Sequence, residues 1–144
     1  AFTGYFRERQ STKNITFPYG SYEGHFVLGV IYTQAKCELD ERRKYSLEDL
    51  EGIASVVTDF EFFVQEKYRL ASDRPGSGNT RNIGSVTETE KLINGKGPFT
   101  ELGESIFDDY WMYYMNKDMA RAANLPKRPY TNLKTYKAYK RIGN

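Results

Sequence analysis

The chain has 144 residues, enough for one ordinary domain with a packed core and too few for two comfortable ones. Apolar residues make up 39% and aromatic residues 15%, and the longest largely apolar run, residues 26–32, is far too short to cross a bilayer as a helix. One histidine, one cysteine and a net charge of only +2 exclude an internal disulfide, a zinc site built from His and Cys, and a uniformly basic nucleic-acid binder.

Residues 1–22 lack sustained periodicity. They mix Phe2, Tyr5, Phe6, Phe17, Tyr19 and Tyr22 with Arg7, Arg9 and Lys13, and read as an extended N-terminal arm that lies on another surface. Asn14-Ile15-Thr16 matches the glycosylation pattern and reads as a chance match. Ala1 is compatible with removal of an initiator Met or cleavage of a targeting peptide, so localisation stays open. The single Cys37 fits a reducing compartment. Residues 25–35 form the best strand, with Phe26, Val27, Leu28, Val30, Ile31 and Tyr32 in one short run. Residues 38–44 are a charged, solvated connector.

Residues 46–70 are expected to be the organising helix. Leu47, Leu50, Ile53, Val57, Phe60 and Val64 recur at steps of three and four, Ser46 and Asp49 have the spacing of a capping box, and Lys67 and Arg69 complement the far end of the helix dipole. Phe60 is then a buried anchor. The branched run Ser55-Val56-Val57-Thr58 opposes this helix. A Gly/Ser/Asn/Pro-rich loop follows over residues 72–85, then a short helix over 87–93 with Gly95 as its stop, and a second amphipathic helix over 106–123 ended by Asn124-Leu125-Pro126.

The motifs for chemistry are sparse. Gly76-Ser77-Gly78-Asn79-Thr80 offers backbone amides to an anion, but Gly84 is followed by Ser85 and Val86 where a phosphate-binding loop needs a lysine. The loop therefore reads as a flexible or partner-contacting connection. His25 is the only histidine, and no nucleophile is paired with it by spacing. Glu101, Glu104, Asp108 and Asp109 cluster where cap and dipole residues belong. Metal-dependent nucleases place an acid two residues before a lysine, and no lysine here has one. Asp59, Gln65 and Lys67 are the nearest approach, a degenerate nuclease-like set.

The charge asymmetry lies at the C-terminal end. Residues 119–144 hold seven basic residues and no acid, leaving fourteen basic against nineteen acidic in the rest. Tyr130, Tyr136 and Tyr139 alternate there with Arg128, Lys134, Lys137, Lys140 and Arg141, and these eight form the expected partner-binding set. Lysines and arginines with interleaved tyrosines suit an acidic protein surface, and they suit nucleic acid, whose bases stack on tyrosine and whose phosphates pair with the cations. Residues 133–142 suit a helix and an extended strand equally.

The expected fold is mainly α with a minor strand element (α+β): an extended arm over residues 1–22, a helical domain with one strand over 23–124 and a basic, Tyr-rich arm over 125–144. The expected function is a non-catalytic structural or adaptor subunit of a larger protein assembly with an acidic surface. The alternatives are a small nucleic-acid-binding protein and a metal-dependent enzyme with a degenerate nuclease-like site. No cofactor and no metal ligand set are expected, and removal of residues 125–144 is expected to leave the fold largely intact.

Overall fold

The computed structural model describes residues 17–35, 40, 42–53, 55–76 and 82–142. The glycosylation-like triplet, Cys37, most of the N-terminal arm and the centre of the Gly-rich loop lie outside these residues. The chain separates into two units, Leu28–Val64 on the one hand and Ala1–Val27 with Gln65–Asn144 on the other.

Strand β1 covers Phe26–Gln34, as its apolar run predicts. The expected organising helix is not a helix. A 3₁₀ turn spans Glu48–Gly52, strand β2 spans Val57–Glu66, and only the single turn α1, Lys67–Leu70, is helical. Val57, Thr58, Phe60, Phe62 and Val64 are β-branched or aromatic, and such side chains fit a pleated surface better than a helix. Asp49 does accept a hydrogen bond from the Ser46 N–H at 2.8 Å, but the pair closes the 3₁₀ turn.

Within Leu28–Val64, Gly29 lies against the Phe63 ring, which any Cβ at that position would overlap. Tyr32 packs on Phe60 with ring centroids 6.3 Å apart. The two pairings share one register, so β1 and β2 run antiparallel in a two-stranded sheet. Strand alternation puts Leu28, Val30, Tyr32, Phe60, Phe62 and Val64 on one face, and each is between 45% and 67% exposed.

In the larger unit, β3 (Ala71–Pro75) pairs antiparallel with β4 (Ile83–Ser85). Ala71 faces Ser85 and Pro75 faces Ile83, so β3 carries extra residues and bulges. The Ser72 hydroxyl steadies the bulge by accepting from the Arg74 N–H and donating to the Arg74 carbonyl. Gly84 packs beneath it, where a Cβ would stand 2.5 Å from that carbonyl oxygen.

Four helices follow: α2 (Thr89–Ile93), α3 (Glu104–Tyr113), α4 (Lys117–Ala122) and α5 (Leu133–Lys140). Gly95 ends α2 with φ +59°, as the sequence predicts. The helix expected over 106–123 is broken in two. Tyr114 is extended, and the Asn116 side chain starts a new helix by accepting from the Met119 N–H at 2.8 Å. The molecule is therefore α+β with two small sheets among the described residues, not mainly helical.

The core belongs to the larger unit. Tyr110, fully buried on α3, has the rings of Phe99, Trp111, Tyr130 and Tyr136 around it at centroid distances of 5.1 to 5.3 Å. Most of these contacts are edge-on, the arrangement favoured by the ring quadrupole. Among the described residues no helix is long and apolar enough to cross a membrane.

Candidate nucleic-acid interface

The basic C-terminal segment resolves into a helix, and its first turn is fixed from two sides. Asn132 caps α5 by accepting from the Thr135 N–H at 2.9 Å, while the Thr135 hydroxyl accepts from the Asn132 N–H at 3.1 Å. The Leu133 N–H, a donor the helix itself leaves unsatisfied, reaches the Asp73 carboxylate on β3 at 2.9 Å. Asp73 also accepts the Tyr110 hydroxyl on its backbone carbonyl at 2.6 Å.

This anchoring sorts the eight expected partner-binding residues. Tyr130 and Tyr136 are not on the surface: they are 2% and 1% exposed, in the aromatic core. Burial is tolerable because each hydroxyl finds an acceptor at 2.6 Å, Tyr130 on the Tyr110 carbonyl and Tyr136 on Asp109. Lys140 is drawn inward by the same carboxylate at 2.8 Å and lies over the Tyr113 ring. Lys134 and Lys137 lie on α5 at a spacing of three, Arg141 follows as its left-handed C-cap, and Tyr139 is 57% exposed. Arg128 precedes the helix and is half-buried. None of these four cations is ion-paired among the described residues.

Asp109 is the electrostatic pivot of this end. Partial burial pushes its carboxyl up, but the hydrogen bonds from Lys140 and Tyr136 and the ammonium charge outweigh that and hold it below the usual carboxylate range. Lys140 is pushed up in turn, first by its hydrogen bond to Asp109. Burial and then the Asp109 hydrogen bond push the Tyr136 hydroxyl up, so it stays a donor.

Among the described residues the acids do not assemble a metal centre. Asp109 is committed to Tyr136 and Lys140. In the degenerate set, Asp59 takes the Thr58 hydroxyl at 2.9 Å, and the Gln65 amide donates to the Ile93 carbonyl at 2.6 Å. Among the described residues no three His, Cys, Asp or Glu side chains gather closely enough to hold a metal ion, so these residues do not fit a divalent-metal site. Asp73 is the residue that sequence reasoning passed over, and only its fixed place on the bulged strand reveals its role.

Two comparisons bear on what this surface meets. The family described as restriction endonuclease EcoRV matches residues 1–141. The type II restriction enzyme EcoRV of Escherichia coli is 34% identical over 130 residues, which cover 90% of this chain and 50% of the relative. The chain thus spans about half the length of that relative. These matches overturn the expectation of a non-catalytic adaptor in a larger assembly, because the shared sequence is that of a nuclease family and runs through almost the whole chain. The chain belongs to the restriction endonuclease EcoRV family.

Proposed function

We propose that the protein works as a type II restriction endonuclease, hydrolysing phosphodiester bonds of duplex DNA. The observation that carries this reading is the family match across residues 1–141. The partner of the basic C-terminal end is then DNA and not an acidic protein.

The local chemistry supports it. Duplex DNA carries one charge per about 1.7 Å of axis. Lys134 and Lys137 stand about 4.5 Å apart along α5 at 1.5 Å per residue, and Arg141 follows as its C-cap, so three cations at this end can meet neighbouring phosphates. Tyr139, beside Lys140 and 57% exposed, adds a ring on another face of the helix. The β3–β4 ribbon is a second contact candidate. Its connecting residues 76–82 are rich in Gly, Ser and Asn, which permit close backbone approach, and a two-stranded ribbon fits the major groove.

The test is a cleavage assay with protein expressed from its complete reading frame, incubated with plasmid DNA in magnesium buffer. Discrete fragments that recur from one plasmid preparation to the next are the expected result. Intact plasmid at every protein concentration would overturn the proposal.

A further inference from the structure

A second cationic feature lies away from the exposed stripe of α5. Helix α4 stops at Asn124, whose backbone is left-handed with φ +54°. The Asn124 N–H reaches the Arg121 carbonyl at 3.0 Å and the Leu125 N–H reaches the Ala120 carbonyl at 2.9 Å, the paired bonds of a Schellman stop. That stop reverses the chain, and Pro126 cannot resume the helix. Lys127 and Arg128 are thereby brought to the same cavity as Lys117 and Arg121, which share one side of α4 through their four-residue spacing. The cavity measures about 650 Å³, with Leu125 and Pro126 forming its apolar wall.

Among the described residues no carboxylate lines this cavity, and none of its four cations is ion-paired. Like charges gathered in a concave site repel one another, so an anion stabilises the arrangement. The two guanidinium groups suit phosphate, which they can grip with paired hydrogen bonds. No aromatic side chain among the described residues lines the cavity, so the base of a free nucleotide has nothing there to stack on. Four cations also exceed the charge of one phosphate and match a run of singly charged phosphodiesters. We infer that Lys117, Arg121, Lys127 and Arg128 hold consecutive phosphates of a DNA strand, in addition to those met by the outer face of α5. This inference rests on the DNA reading above.

The test measures binding of the full chain to a fluorescently labelled 20-base-pair duplex, by anisotropy over a range of salt concentrations. The variant carries Lys117→Gln, Arg121→Gln and Lys127→Gln, and Lys96→Gln, an exposed lysine outside both surfaces, serves as control. The triple variant is expected to bind roughly tenfold or more weakly at low salt, with the log–log salt slope reduced by about 0.9 for each phosphate that is no longer neutralised. The control should keep both values. If the triple variant does not fold by circular dichroism, Arg121→Gln alone should lower the slope by about one. A variant slope equal to the wild-type slope overturns the inference while the DNA reading stands. Wild-type protein that binds no duplex at low salt defeats the DNA reading itself, and the inference with it. A third arm titrates inorganic phosphate and follows arginine side-chain NMR signals. If phosphate moves the Arg121 signal and the duplex does not, the cavity serves a small free anion and the inference is overturned.

Discussion

The two units of this chain are both rich in aromatic residues and use them in opposite ways. In the larger unit Phe99, Tyr110, Trp111 and Tyr136 are essentially inaccessible to solvent, whereas in Leu28–Val64 Phe60 and Phe62 are more than half exposed. Side-chain chemistry does not account for the difference, since phenylalanine appears in both. Architecture does. Tyr110 has helices and the β3–β4 ribbon around it, while the described residues of the hairpin unit form two strands and a 3₁₀ turn and supply no further layer to cover the second face. A two-stranded hairpin is marginal by itself, because one sheet face always lacks a partner. Aromatic content therefore forecasts that a core exists and says little about which rings form it.

The largest effect expected of any single change is Trp111→Ala. It should cost about 3–5 kcal/mol in urea denaturation, the usual consequence of emptying a closed aromatic site. A reduction under about 1 kcal/mol would break the contrast from the core side. Next comes Tyr130→Phe, which keeps the ring and removes only the hydroxyl bonded to the Tyr110 carbonyl. Because that acceptor is buried, stability should fall by about 1–2 kcal/mol, and a neutral result would show that water replaces the hydroxyl.

Asp109→Asn probes the rim of the same core. Its ion pair with Lys140 is a third exposed on both sides, so solvent screening limits the effect to about 1 kcal/mol. The pH dependence has a definite sign. The folded-state carboxyl is depressed below its ordinary 3.8, so its contribution is complete above that value and disappears as pH falls through the lower folded-state value. Wild type and variant should thus differ by a constant amount from about pH 5 upward and converge in strong acid. A difference that grows as pH falls below 3.8 would mean that Asp109 is not held as a carboxylate.

Phe60→Ala should have the smallest effect, about 1 kcal/mol, because more than half of the residue stays in contact with water in the folded chain. A destabilisation as large as that of Trp111→Ala would show that the open face of the hairpin is covered in solution, and the contrast between the two units would fail.

Much of the local punctuation was legible in the sequence. The apolar run of β1, the glycine stop after α2 and the Asn-Leu-Pro end of α4 each depend on neighbouring residues alone. Residues 46–70 misled because two periods coexist in them. Val57, Phe60 and Val64 fit helical spacing, while Phe60, Phe62 and Val64 alternate as a strand does, and cross-strand packing with Tyr32 and Gly29 decides between them. The C-terminal tyrosines misled for a different reason. A tyrosine in a basic segment looks the same whether its hydroxyl meets water or a buried acceptor. The acceptors that settle the matter lie 20 residues away at Tyr110 and 27 away at Asp109. Removal of residues 125–144 would accordingly open the core, and the expectation that the fold survives it does not hold. The nuclease family left no acid–x–lysine signature in this chain, so motif reasoning had nothing to find.

Asp73 has a consequence for how the chain acquires its structure. Its carbonyl waits for a hydroxyl 37 residues downstream, and its carboxylate for an amide 60 residues downstream. During synthesis the β3–β4 ribbon emerges long before either donor, so this joint closes only when α5 has left the ribosome. Nascent chains halted short of Leu133 leave the Asp73 carboxylate without that amide, so the larger unit is completed only after α5 has been made.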